Sequence, residues 1–335
     1  MNIMICGGAG FMGSHFIKYI LNKYPDYMVV NFDKLTYAGN LENLREVEEN
    51  KKYSFVKGDI CNLEALRKAV RENNVDVIVN YAAETHVDRS IMDPTAFLKT
   101  DVLGICNLLE VTKEFGLKKM VQISTDEVFG SIEEGEFTEE SNFKPNSPYA
   151  AAKAGGDLLC RSYWITYETP VVVTHSCNFY GPNQYPEKLI PLFATNLIEG
   201  KKVPVYGNGK NVREWIYVDD HCSAIDVILH KAQPGSVYNI GTGDEIENIE
   251  ITKLILEYSG KNDDMIEYVK DRLGHDRRYA IDAGKLKTEL GWEAKYDFKE
   301  GLKKTVDWYK ENEEWWRKLK DGSYMEYYKK QYSQQ

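Results

Sequence analysis

The sequence predicts an α/β protein: a doubly wound parallel sheet through the first half of the chain, with a smaller, interleaved C-terminal α/β unit. Three observations predict it. Strand and helix signals alternate through the first half, which specifies parallel strands with helices on both faces. The first apolar run, residues 2–6 (NIMIC), leads directly into the glycine-rich turn GGAGFMG. The second, Met28 to Phe32, ends at the carboxylate of Asp33.

Taken in order, the first strand and its turn feed a helix carrying Phe16, Ile17, Ile20 and Leu21 at helical spacing until Pro25 interrupts it. After the Met28 strand come a strand at Tyr53 to Val56, a helix from about Leu63 to Glu72 and a strand from Val75 to Asn80. Asp93-Pro94 reads as an N-cap with proline at the first helical position, opening one long helix that Gly116 closes. The strand Met120 to Ser124 follows. Ser147-Pro148 repeats the cap-and-proline signal, and its helix runs until Pro170 enforces a break. Beyond Tyr180-Gly181-Pro182 the pattern gives a helix near Ile190 to Glu199 and a strand Val203 to Tyr206. Val212 to Tyr217 and Val237 to Ile240 are expected to return to the first domain. Residues 1–181, rejoined by about 210–247, form the larger domain on this reading. Residues 182–335, mainly 182–209 and 248–335, form the smaller. From Leu302 onward, Trp308, Trp315, Trp316, Tyr324, Tyr327 and Tyr328 stand among charges and read as helix packing rather than a binding surface.

The glycine turn supplies the first functional signal. Gly8, Gly10 and Gly13 fit G-x-G-x-x-G, and Gly7, Gly10 and Gly13 fit G-x-x-G-x-x-G. Either register brings backbone close to a pyrophosphate at a helix N-terminus, the arrangement of a Rossmann fold. Asp33 follows Gly13 by about 20 residues, where a carboxylate accepts hydrogen bonds from a ribose 2′-hydroxyl and repels a 2′-phosphate. NAD is therefore expected over NADP.

Composition narrows the class. The chain has 335 residues, 43% of them hydrophobic, and a net charge of -10. That is enough apolar surface for a core and the wrong sign for gripping a nucleic-acid backbone. No apolar stretch approaches the ~20 residues of a membrane span, so no membrane partner is expected. No basic segment with an apolar core precedes the first strand, and a cytoplasmic location is expected. The cysteines Cys6, Cys61, Cys106, Cys160, Cys177 and Cys222 show neither C-x-x-C pairs nor metal-finger spacing, so they read as reduced thiols and no metal site is expected.

Two clusters point to chemistry. Tyr149 and Lys153, four residues apart, share one helical face. A lysine ammonium beside a phenol favours phenolate, which could remove a hydroxyl proton while hydride leaves the same carbon. Upstream, Ser124-Thr125-Asp126-Glu127 falls at the carboxyl end of a strand, where open α/β sheets bind ligands. Two adjacent carboxyl groups serve as acid and base only if their surroundings separate their pKa values. Which of them retains the proton is left open by the residues themselves.

Together GGAGFMG, Asp33, STDEVFG (124–130) and YAAAK (149–153) resemble the extended short-chain dehydrogenase/reductase family. AAETHVDRS (82–90), YGPNQYPEKLIP (180–191), VYGNGKNVREWIYVDDH (205–221) and DRLGHDRRYAID (271–282) are similar to its sugar-nucleotide 4,6-dehydratase branch. The resemblance covers nearly the whole chain, and Thr-Asp-Glu is its most specific element. It implies NAD as cofactor and a nucleotide-diphosphate sugar as substrate: dTDP-glucose, or alternatively UDP-glucose or UDP-N-acetylglucosamine. It also implies that Tyr149, with Thr125 and Lys153, deprotonates the sugar 4-hydroxyl, while Asp126 is the acid and Glu127 the base of water loss.

By the same resemblance, the cofactor contacts Gly7, Gly10, Phe11, Met12, Gly13, Asp33, Lys34, Leu35, Thr36, Asp59, Ile60, Ala82, Ala83, Glu84, Thr100, Tyr149 and Lys153. Substrate contacts are His86, Thr125, Asn178, Lys188, Leu189, Pro204, Val205, Tyr206, Arg213, Asn248, Arg272 and His275. Guanidinium forks such as Arg213 and Arg272 suit a diphosphate. A homodimer is implied through helices 94–115 and 148–168, for which Val102, Ile105, Leu108, Leu109, Leu158 and Leu159 form a compatible apolar set. Five positions depart from the family pattern: Asp101, Phe129, Ala152, Phe179 and Leu273, where asparagine, tyrosine, serine, asparagine and proline are expected. Phe179 and Leu273 lie in segments that shape the substrate pocket.

Overall fold

A computed structural model of the chain describes residues 1–320 together with 322, 324, 326, 328 and 331; Tyr327 of the aromatic C-terminal stretch lies outside the described residues. The strands are β1 (Asn2–Cys6), β2 (Met28–Asp33), β3 (Tyr53–Lys57), β4 (Val77–Asn80), β5 (Lys119–Thr125), β6 (Val171–Ser176), β7 (Asn178–Tyr180), β8 (Val203–Tyr206), β9 (Val212–Tyr217), β10 (Val237–Ile240), β11 (Glu245–Glu247) and β12 (Ile266–Val269). The helices are α1 (Phe11–Lys23), α2 (Leu63–Glu72), α3 (Val87–Met92), α4 (Pro94–Leu98), α5 (Ile105–Glu114), α6 (Pro148–Tyr167), α7 (Leu189–Ile198), α8 (Val218–Lys231), α9 (Asn248–Tyr258), α10 (Gly284–Leu290), α11 (Phe298–Glu311) and α12 (Glu313–Leu319).

Seven strands form one parallel sheet in the order β10-β6-β5-β4-β1-β2-β3. From β1 the chain winds outward through β2 and β3, then crosses back to β4 on the other side. Ligands of such sheets sit outside the carboxyl ends of the strands at that reversal. Successive side chains of β1 point to opposite faces. Ile3 and Ile5 therefore join a core with Phe16, Ile17, Val121 and Ile123, while Met4 and Cys6 join another with Val30, Ile78, Leu108 and Met120. The first core continues through Phe193, Val203, Leu302 and Trp316.

β9 forms where expected and runs parallel to β7 and antiparallel to β11 in a separate three-stranded sheet. The place beside β6 accepts one strand, and β10 takes it. β8 and β12 make a further parallel pair. The single long helix expected after Asp93-Pro94 is instead α4, a π-helical turn at Lys99–Gly104, and α5. The wider turn directs Asp101 and Gly104 inward, where a Cβ on Gly104 would lie 2.5 Å from Ile60 Cδ1.

All six cysteines are free thiols, four of them buried. Among the described residues no helix is long and apolar enough to cross a membrane, and no His, Cys, Asp and Glu cluster could hold a metal ion.

Candidate active site

Two adjoining cavities open at the carboxyl ends of the main strands, sharing Glu127, Asn178, Phe179, Glu187 and Lys188 in their walls. The first is built from backbone. Gly10 is extended and no side chain caps α1, so the first-turn N–H groups are left to an anion. A Cβ on Gly13 would lie 2.3 Å from Gly7 O, and Gly7 has φ 74 with its backbone against Ala82. Asp33 braces the turn: its two carboxylate oxygens accept from Ala9 N at 2.9 Å and Leu35 N at 2.7 Å. Burial raises its pKa, and those two N–H groups oppose the rise. This glycine cradle, uncapped helix and buried acid fit a dinucleotide. Every residue expected at the cofactor lines this cavity except Leu35, whose N–H is committed to Asp33.

Thr125, Asp126, Glu127, Tyr149 and Lys153 line the same cavity. Thr125 caps the short helix at Asp126–Phe129, and its Oγ1 accepts from Glu127 N at 3.2 Å and donates to Asp126 Oδ1 at 3.1 Å. Asp126 is buried, and its Oδ2 has no hydrogen-bond partner among the described residues. Burial, then the charges of Glu127 and Glu214, push its carboxyl well above the usual range. Burial also raises Glu127, but Arg272, Arg213 and Lys188 oppose the rise. One acid of the pair thus faces carboxylates and the other faces cations. Tyr279, which sequence reasoning did not single out, donates to Glu127 Oε2 at 3.4 Å and to Asp276 Oδ2 at 2.7 Å. No spacing signal could have found it, since it stands 152 residues from Glu127.

Tyr149 and Lys153 share a face of α6, whose start is fixed by Ser147 Oγ accepting from Ala150 N at 3.1 Å. Burial, then Glu127 and Asp101, hold the Tyr149 phenol well above its ordinary value. Lys153 Nζ donates to Ile123 O at 2.8 Å and lies 3.7 Å from Asp101 Oδ1. Asp101, fully buried, also accepts from Glu84 N at 3.3 Å.

The second cavity is built from side chains on separate segments. His86, Asn178, Lys188, Leu189, Pro204, Val205, Tyr206, Arg213, Asn248, Arg272 and His275 all line it, whereas Thr125 lines only the first. Arg213 is partly spent: it donates to Val212 O at 2.7 Å and Asp276 O at 2.9 Å, with its guanidinium 4.1 Å from the Tyr279 ring. Arg272 Nε lies 3.8 Å from Asp88 Oδ1, and Tyr206 donates to Asp88 Oδ2 at 3.2 Å. Burial and then Arg272 lower His275 to about 4, so it enters the site neutral. Of the departures, Phe179 lines both cavities and Asp101 touches Lys153, whereas Phe129 and Ala152 are buried outside the cavity walls. Leu273 is 73% exposed and lines neither cavity, so it does not shape the pocket by contact.

Fold and site define a nicotinamide-dinucleotide enzyme of the extended short-chain dehydrogenase/reductase architecture. Sequence comparison carries the assignment further: the chain belongs to the GDP-mannose 4,6 dehydratase family, whose description matches residues 4–305. It is 48% identical to dTDP-glucose 4,6-dehydratase of Streptomyces niveus over 324 residues, 96% of each chain. It is 52% identical to dTDP-glucose 4,6-dehydratase of Bacillus anthracis, solved in complex with NAD, with a TM-score of 0.90 over 95% of this chain and 99% of that one. The Streptomyces venezuelae dTDP-glucose 4,6-dehydratase DesIV, solved with NAD and TYD bound, gives 47% identity and a TM-score of 0.93 over 95% of this chain and 100% of that one.

Proposed function

We propose that this protein is an NAD-dependent dTDP-glucose 4,6-dehydratase, giving dTDP-4-keto-6-deoxy-glucose. The observation that carries it is the unequal acid pair. A 4,6-elimination needs a carboxyl group that gives a proton beside one that takes one. Asp126 is buried beside Glu127 and Glu214 with Oδ2 unpaired among the described residues, whereas the rise that burial gives Glu127 is opposed by Arg272, Arg213 and Lys188.

NAD, when bound, supplies the acceptor and later the donor of the hydride. Tyr149, with Thr125 beside it, removes the proton of the 4-hydroxyl, and Lys153 provides the positive charge of that corner. The 4-ketone acidifies the C5 hydrogen. Glu127, braced by Tyr279, takes that proton while Asp126 gives its own to the departing 6-hydroxyl, so one water leaves; Glu127 then returns its proton to C5 as the hydride goes back to C6. Arg213, Arg272 and Lys188 supply the cations for the diphosphate, and Phe11, Met12 and Asp33 serve the cofactor. Residues 1–181 with about 210–247 act as the cofactor lobe, and 182–209 with 248–335 as the sugar-nucleotide lobe.

The active unit in this reading is a cytoplasmic homodimer. Leu98, Leu103, Leu158 and Ile165 are 49 to 64% exposed on the helical segments 94–104 and 148–167 and make an apolar face suited to a second copy. Ile105, Leu108 and Leu109 are excluded from that face because they are buried in the chain's own core. Light scattering that returned a monomer would refute the dimer.

The reaction is tested by incubating the purified protein, with and without added NAD, against dTDP-glucose, UDP-glucose and UDP-N-acetylglucosamine. Loss of one water without net NADH, fastest with dTDP-glucose, is expected. An unchanged mass with an altered stereocentre, or stoichiometric NADH, would sink the reading.

A further inference from the structure

Trp315 lines the dinucleotide cavity although it stands 272 residues beyond Asn43, its hydrogen-bond partner near the glycine turn. α11 and α12 bring it there. The neighbouring Trp316 is fully buried and donates from Nε1 to Tyr309 O at 2.7 Å, which anchors α12 to α11. Trp315, held edge-on to Trp308 at 5.1 Å, reaches out of that anchor and donates from Nε1 to Asn43 Oδ1 at 3.0 Å. Asn43 donates in turn to Ala9 O at 3.1 Å, and Asn40 N donates to the same carbonyl at 2.9 Å. The indole is therefore two hydrogen bonds from the glycine turn itself. Leu319 lines the same cavity one helical turn on, and its carbonyl accepts from the Tyr185 hydroxyl at 3.4 Å. Outside, Lys318 Nζ meets Glu42 Oε1 at 3.1 Å.

No step of the chemistry calls for an indole at this place. We propose that Trp315 is a cofactor-contacting residue and that α12 is a clasp, carried by the chain's C-terminal region, that retains the dinucleotide. Its purpose rests on the internal-hydride reading above: a cofactor reduced and reoxidised within one turnover must not leave between the two transfers. An indole wall gives retention through apolar area and aromatic contact, and its N–H ties the wall to the turn that holds the pyrophosphate. The exposed Lys318–Glu42 pair adds little, because solvent screens it.

The test uses the full-length protein without sugar. NADH is bound, its release into excess NAD is followed by stopped flow, and energy transfer from tryptophan to bound NADH is read in the same sample. Trp315→Ala is expected to release NADH roughly ten-fold faster, equivalent to about 1.4 kcal/mol. Trp315→Phe keeps a ring against Trp308 but loses the N–H to Asn43, so release is expected to quicken about five-fold and energy transfer to drop. If the alanine variant does not fold, the phenylalanine variant decides. Unchanged release in Trp315→Phe overturns the proposal, whatever the energy transfer does. With no sugar present, a failed dehydratase assay would remove the clasp's purpose while leaving the contact itself separately tested.

Discussion

The two halves of the site are built by opposite means. At the cofactor end, contiguous backbone does the work: residues 7–13 form the cradle, and Asp33 spends both oxygens holding Ala9 and Leu35 in place. At the sugar-nucleotide end, side chains do it. Lys188, Arg213 and the pair Arg272 and His275 arrive from three separate segments; Lys188, Arg213 and His275 are held by Thr85, Asp276 and Asp271, and Arg272 lies 3.8 Å from Asp88. A backbone site tolerates few side chains but is indifferent to most distant ones. A side-chain site depends on the packing of partners spread over the whole chain.

That contrast can be broken at its two ends. Gly13→Ala drives a Cβ into Gly7 O, and overpacking of this kind costs ~1–3 kcal/mol, so NAD affinity is expected to fall by about ten- to a hundred-fold. Calorimetric titration with NAD measures it, and an unchanged affinity would show that the cradle is not the binding element. Arg272→Met is expected to leave NAD binding alone and raise the KM for the nucleotide sugar by about ten-fold, because a charge-assisted bond is worth ~1.5–3 kcal/mol. Steady-state kinetics with saturating NAD separate the two, and a loss of NAD binding in this variant would blur the proposed division.

A third test sits on the boundary between the halves. Burial raises Asp101 from its usual value to about 7. The folded protein therefore binds this proton more tightly than the unfolded chain, and the charged form is penalised as pH rises through the window from about 4 to about 7. Asp101→Asn removes that penalty. Its thermal midpoint is expected to match the parent near pH 4, to gain on it up to about pH 7 and to run parallel above. The variant also removes a charge that raises the Tyr149 phenol, so the rising limb of kcat against pH is expected to move to lower pH. Parallel melting curves across the whole window would show that Asp101 ionises freely where it stands.

The same contrast governs how much could be read beforehand. β1, the glycine turn, Asp33, Tyr149 and Lys153 were legible because each depends on neighbours within a few residues: alternation, a tight turn, a spacing of four. Thr125, Asp126 and Glu127 were legible as a cluster at a strand end, but not as an acid and a base. Their difference comes from Glu214 on one side and from Arg272, Arg213 and Lys188 on the other. The π-helical turn escaped because Asp93-Pro94 and Gly116 mark where a helical region begins and ends, not how its interior winds against Ile60 and Lys153. β9 was legible as a strand but the sheet it joins was not, because pairing partners are chosen by competition for a sheet edge, and no local pattern states the outcome.

By itself the sequence determined the order of strands and helices, the dinucleotide turn, the preference for NAD and the clusters Thr125-Asp126-Glu127 and Tyr149-Lys153, because short-range sterics and hydrogen bonding decide those. Only the tertiary structure decided which charges surround each carboxyl group of the pair, where Lys153 places its ammonium and that Trp315 reaches the cofactor cavity. Each of those depends on burial and on charges brought together from distant parts of the chain, and both exist only once the chain is folded.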